Sequence, residues 1–230
     1  MLIDFSARLR PNPSMRFQPP WSGAFRLQSF FHRTPDALPV DAIEAIRSAI
    51  LGSSLLGETN LSSHFSGTYG FSVTFRREAL SEVTDRFPAF APFLQAAILP
   101  ECNAFLLNPL LVQNGRGVDA HLDRSMTFYG AGADGPLAVS VLYVQVPEQL
   151  AGGELRLYHR GARVAALAPL PRSLVTFRGD LVHEVVAVEA GAPELSAARI
   201  SLVVEQYRMP EALLMKVPRF QLRTREGALA

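Results

Sequence analysis

The sequence predicts a mainly β domain, a jelly roll flanked by helices, and three observations carry that reading. From Asn103 onward the chain breaks into short apolar runs separated by Gly, Pro and Asp, the pattern of a sandwich or barrel of short strands. Apolar residues at helical spacing fall instead in the first hundred residues. At 230 residues and 48% hydrophobic content the chain can bury one substantial core, and no low-complexity linker divides it. The expected organisation is a single domain over residues 1–230, with an arm and supporting helices in 1–100, the β core in 101–208 and a tail in 209–230.

Each element has its own warrant. Residues 1–17 mix Asp4, Arg8 and Arg10 with prolines and lack the continuous apolar region of a secretory signal. Residues 10–23 hold Pro11, Pro13, Pro19 and Pro20, which cannot continue a helix, so they read as an extended arm or a surface loop, with Trp21 as its anchor. Residues 41–51 (DAIEAIRSAIL) form an amphipathic helix with an acidic first turn, its apolar face directed at the sheet. Residues 53–67 have loop composition and carry His64, read as an exposed loop histidine. A strand at 70–75 leads into a helix over 77–90, where Leu80, Val83 and Phe87 recur at helical spacing, and a further helix over 91–98. These helices are expected to buttress one face of the β core.

Eight strands are placed near 103–113, 117–123, 137–146, 154–158, 163–167, 173–177, 181–188 and 198–208. Between the second and third, residues 130–135 satisfy GxGxxG, but Pro136 and another strand follow where a phosphate-binding helix would have to begin, so no dinucleotide role is assigned. Lys216, Arg219, Arg223 and Arg225 give the last segment the character of a solvated basic tail.

Bulk properties remove several classes. A net charge of +1 gives no electrostatic footprint for nucleic acid, so none is expected as partner. No stretch reaches the roughly 18 to 20 apolar residues of a membrane-spanning helix, and no membrane association is expected. The lone Cys102 excludes an intrachain disulfide framework, reads as a small core residue, and suits a reducing, cytoplasmic setting.

The chemistry gathers in three strands. In an extended chain alternate side chains share a face, so His121 and Asp123 of Ala120-His121-Leu122-Asp123 project together. Residues 181–188 (LVHEVVAV) read as a buried strand with one imidazole, His183. Two histidines and a carboxylate are the donor set of non-heme Fe(II) oxygenases, which leaves one side of the metal open. Along residues 198–205 (ARISLVVE), Arg199 and Ser201 share a face, where a guanidinium and a hydroxyl can grip a carboxylate. The bland alternative for Arg199 is a surface ion pair with Glu205 or Glu189. Arg208, nine residues further, lies about 30 Å along an extended strand and reads as an exposed terminus.

In their order, Gly115, His121-x-Asp123, Gly152-Gly153-Glu154-Leu155, Pro169 to Phe177, His183 and Arg199 resemble the 2-oxoglutarate- and Fe(II)-dependent dioxygenases, particularly the prolyl 4-hydroxylase-like branch, over about half the chain. The resemblance implies a double-stranded β-helix, a cupin-like jelly roll. It implies Fe(II) on His121, Asp123 and His183, with 2-oxoglutarate and O₂ as co-substrates, ascorbate as an accessory reductant, and Arg199 with Ser201 holding the co-substrate. The implied outcome is hydroxylation of an unactivated C–H in an amino acid, a peptidyl residue or a small molecule, with release of succinate and CO₂. Related halogenases place Gly or Ala where this chain has Asp123, so hydroxylation rather than halogenation is expected. Val112 and Val118 stand where many members carry tyrosines, so a substitute 2-oxoglutarate contact is expected among Thr127, Tyr129 and Tyr143, with Tyr143 favoured. The interval from His183 to Arg199 is longer than the family's. Two other classes stay open: a cupin-like metal-dependent hydrolase or isomerase, and a non-catalytic binding module.

Overall fold

The computed structural model of the protein describes residues 30–59, 61–130, 135–189, 194–224 and 227–229, the last stretch by its backbone only. The proposed arm with Trp21, and residues 131–134 of the glycine-rich loop, lie outside the described residues.

Two antiparallel sheets make the body. The larger has ten strands, its main path running Phe31–Thr34, Leu174–Arg178, Ala138–Gln145, Arg199–Tyr207, Ala104–Val112, Ser72–Arg76, Phe220–Thr224 and Gly227–Leu229, with the short strands Gly57–Glu58 and Tyr69–Gly70 beside it. The smaller runs Ala162–Leu167, Leu155–His159, Val182–Val185 and Val118–His121. All eight strand positions expected in the β half are occupied, with ends shifted by a few residues.

Side-chain parity along the central strand shows how the layers form. Ile200, Leu202 and Val204 face one way and join Phe105, Leu107 and Leu142 in a core with Ile43, Ile46 and Ile50 of the helix Val40–Leu51. That helix presents its apolar stripe to the sheet as its spacing dictates. The odd residues, Arg199, Ser201, Val203 and Glu205, turn to the other side and line a cavity shared with the smaller sheet. There Val139, Val141 and Phe177 pack against Leu155 and Leu157 from the facing sheet. One face of the large sheet is thus structural and the other functional.

Local departures from the sequence reading have physical causes. The expected helix over 77–90 is broken into a 3₁₀ turn (Arg77–Ala79), a helix (Leu80–Arg86) and a second turn (Pro88–Phe90). Pro88 disfavours helical backbone at the preceding residue, and Phe87 adopts φ −127°, ψ 65°. The solvated tail is corrected outright. Phe220–Thr224 is a strand paired with Ser72–Arg76, and Leu222 is completely buried. One inward apolar residue between cations was too little pattern to announce a strand. The helix Glu211–Leu214 also falls in this segment. Among the described residues no helix is long and apolar enough to cross a membrane.

Candidate active site

His121 and His183 are register partners on adjacent antiparallel strands, which puts both imidazoles on the same side. Asp123 lies two residues past the end of the His121 strand and turns back to them. His121 Nε2 is 3.2 Å from Asp123 Oδ1, and His183 Nε2 is 3.5 Å from Oδ2. All three groups are buried, and each offers a ligand atom within 4.8 Å of the others.

The hydrogen bonding of the rings bears on what belongs between them. His121 Nδ1 donates to the Asp119 carbonyl (2.7 Å) and His183 Nδ1 to the Leu181 carbonyl (3.1 Å). A carbonyl only accepts, so each Nδ1 carries the proton and, in the neutral ring, each Nε2 presents a lone pair toward Asp123. Lone pairs then face a carboxylate, and His121 Nε2 has no hydrogen-bond partner among the described residues despite its burial. A cation placed among the three groups removes this conflict, and two imidazoles with one carboxylate suit Fe(II) with open positions. The electrostatic shifts of the two rings run in opposite directions. Burial pushes the His183 value down, keeping that ring neutral. For His121 burial acts the same way but Asp123 more than offsets it, raising the value, while burial of Asp123 is outweighed by His183 and His121, which hold its carboxyl low.

A narrow cavity of about 50 Å³ lies beside these groups. Its walls are mostly apolar, with Val139, Val141, Leu155 and Phe177 among them. Arg199 reaches it while 1% exposed. The guanidinium donates from Nη1 to Ser201 Oγ (3.1 Å) and lies 4.9 Å from the centre of the Tyr143 ring, while Nε has no partner among the described residues. No carboxylate among the described residues pairs with it, and burial pushes its value down from the usual arginine range. The surface ion pair considered from sequence is therefore not formed. Arg208, by contrast, is exposed just beyond the strand's end.

Tyr143 is fully buried opposite Ser201 in register, its ring against the guanidinium. Tyr129 is elsewhere, donating to Gln221 (2.7 Å) at the outer mouth, and Thr127 lies in the same 3₁₀ stretch, Ser125–Tyr129. His64 is exposed, as its loop composition suggests, yet its ring stacks on His121 at 5.6 Å, and Phe65 meets His121 edge-on at 4.9 Å. Cys102 is a buried core residue whose thiol burial pushes up to about 12, with Glu101 adding to the effect.

Gly152 and Gly153, both with positive φ (69° and 70°), turn the chain into the strand that begins at Leu155. A Cβ on Gly153 would stand 3.3 Å from Arg199 Cδ and 3.2 Å from Leu150 Cδ2. Gly153→Ala is expected to lower stability by about 1 to 3 kcal/mol through backbone strain and to displace Arg199. Denaturant unfolding measures the first effect; an unchanged midpoint would contradict it.

Sequence reasoning missed Glu205 as a site residue. It is 5% exposed and lines the same cavity as Arg199. The signal was present, since Glu205 continues the alternation begun by Arg199, Ser201 and Val203. Ser125 Oγ donates to its carboxyl (2.8 Å), as does the Tyr207 hydroxyl. Burial, with the Asp123 charge adding, raises its value well above the ordinary carboxylate range. A carboxyl raised on folding adds stability that is complete below its unfolded value, about 4.3, and that is lost as the pH climbs toward and through the folded one. Glu205→Gln is therefore expected to gain melting temperature over the parent protein progressively between about pH 5 and pH 8. A difference that stays constant across that range would show the group ionising alike in both states.

No family model matches the chain, and no curated protein matches it. Solved structures do. A prolyl hydroxylase from Trichoplax adhaerens, in complex with a hypoxia-inducible-factor oxygen degradation domain peptide, matches with TM-score 0.53 at 14% identity, covering 82% of this chain and 87% of that one. A 2OG-Fe(II) oxygenase family oxidoreductase from Burkholderia pseudomallei matches with TM-score 0.50 at 15% identity, covering 79% and 87%. The fold is thus the double-stranded β-helix that the sequence resemblance implied.

Proposed function

We propose that this protein is an Fe(II)- and 2-oxoglutarate-dependent dioxygenase that hydroxylates an unactivated C–H of an amino acid, a peptidyl residue or a small molecule. One oxygen atom of O₂ would enter the substrate and the other the succinate, with CO₂ leaving. The observation that carries the reading is Arg199, a buried guanidinium with no carboxylate partner among the described residues, facing the cavity that also holds the His121, Asp123 and His183 ligand set. An unpaired buried cation costs several kcal/mol on the order-of-magnitude scale of such groups, and an incoming carboxylate offsets that cost.

The roles of the chain's own residues follow. His121, Asp123 and His183 would hold the iron, with the Asp119 and Leu181 carbonyls fixing the ring orientations. Bound iron, with 2-oxoglutarate and O₂, supplies the oxidising power, and ascorbate serves as reductant in the same scheme. Arg199 and Ser201 take the distal carboxylate of 2-oxoglutarate, and the Tyr143 ring backs the guanidinium. Apolar walls from both sheets exclude water from the reacting end. A hydrolase or isomerase on the same ligands has no use for Arg199, and a binding module has none for the complete ligand set. The peptide in the Trichoplax complex keeps peptidyl substrates in view. A cytoplasmic setting fits the single buried cysteine, and a net charge of +1 favours no nucleic-acid partner.

Anaerobic titration with Fe(II) and then 2-oxoglutarate tests the reading. A visible metal-to-ligand charge-transfer band is expected once both are bound. Fe(II) binding with no band on adding 2-oxoglutarate would overturn it.

A further inference from the structure

We propose that the substrate carries a protonated amine, received by Glu205, with a carboxylate further out held by Arg223; the substrate class is thus an amino acid or short peptide with a free amine. This rests on the dioxygenase reading above.

Glu205 stands where the inner cavity meets the outer mouth, lining both together with His121 and Asp123. A group bound to it lies beside the proposed metal position. The surroundings of its carboxyl are donors only, the Ser125 and Tyr207 hydroxyls, one to each oxygen. Both oxygens are thus occupied by donors, and with no cation among the described residues paired with it, burial and the Asp123 charge hold the carboxyl toward its neutral form. A glutamine could accept the same two hydrogen bonds through its carbonyl without an ionisable group in a desolvated place. What a carboxyl adds is the capacity to pair with a cation, and the cation has to come with the ligand.

The charges around the mouth narrow the choice. Its described lining has two acids, Asp123 and Glu205, and Asp123 is committed to the metal set. Glu205 is therefore the acceptor left for an ammonium group. Across the mouth Arg223 is held with its guanidinium 4.1 Å from the Phe128 ring centre and 5.4 Å from that of Tyr129, and Nε donates to Gln221 (3.1 Å). No carboxylate is paired with it among the described residues. Glu205 is tied to one end of the 3₁₀ stretch Ser125–Tyr129 and Arg223 rests on the other. Glu205 and Arg223 thus line one mouth from the two ends of this stretch, where an ammonium and a carboxylate on one small molecule can each meet a partner.

The test is succinate formation with Fe(II) and 2-oxoglutarate across the L-amino acids and a set of dipeptides, each presented with a free amine and as its N-acetyl derivative. One or more free amines are expected to stimulate succinate release. Acetylation is expected to raise KM about tenfold or more, as loss of a charge-assisted contact does. Glu205→Gln is expected to raise KM for the free amine similarly while discriminating no longer between the free and acetylated forms. The charge-transfer band, recorded on the same sample, reports that the variant is folded and takes Fe(II) and 2-oxoglutarate. If the variant loses the band, the comparison of free and acetylated compounds on the unmodified protein carries the test alone. Equal stimulation by both forms, or a band with no stimulation by any free amine, overturns the amine proposal and leaves the dioxygenase reading standing. No band in the unmodified protein overturns both.

Discussion

Alanine at position 183 is expected to abolish succinate formation and to weaken Fe(II) binding by more than about 100-fold, beyond the loss typical of a group that only supports a ligand. His183 supplies one of three donors, and none of the other described His, Cys, Asp or Glu groups joins that cluster. The fold should survive. His183 is buried with its value pushed down, so it packs as a neutral ring against the edge of Phe177, and Asp123 keeps its contact with His121 when it is removed. Circular dichroism with Fe(II) titration separates the two effects. Normal turnover in His183→Ala would remove the metal assignment.

The second large effect is expected at Arg199. Arg199→Ala should raise the 2-oxoglutarate requirement about tenfold or more, since a charge-assisted contact is worth on the order of 1.5 to 3 kcal/mol. Fe(II) affinity should be retained, because Arg199 is not part of the ligand set His121, Asp123 and His183. Arg208→Ala, at an exposed position past the strand end, should change neither. Steady-state KM for 2-oxoglutarate in the two variants decides it: a defect in Arg208→Ala with none in Arg199→Ala would displace the proposed clamp.

Much of this was legible because strands and helices write different periods. The two-residue alternation at His121-x-Asp123 and Arg199-x-Ser201 was enough to group side chains that the fold does bring to one cavity. The helix Val40–Leu51 announced itself through Ile43, Ile46 and Ile50. What failed to show was contact across long sequence separation. Nothing local in Phe220–Thr224 says that Ser72–Arg76 needs a partner there. The environment of Glu205 was equally hidden. A glutamate at the end of an apolar strand looks like an exposed residue until Ser125 and Tyr207 are seen to enclose it. The stacking of His64 on His121 likewise depends on where a polar loop comes to rest.

The strand Arg199–Tyr207 acts as a ruler with two independent scales. Its odd marks, Arg199 and Glu205, stand about 20 Å apart along the backbone, so the reach from one anchor to the other is set by the number of intervening residues rather than by any loop. Its even marks Ile200, Leu202 and Val204 are aliphatic and belong to the helix side. Exchanging an odd residue changes what the cavity holds without disturbing the packing that keeps the sheet in place. Inserting or deleting one residue would exchange the two scales, sending a guanidinium into the helical core and an isoleucine into the cavity. Variation in ligand choice along this strand is therefore open to substitution and closed to changes in length.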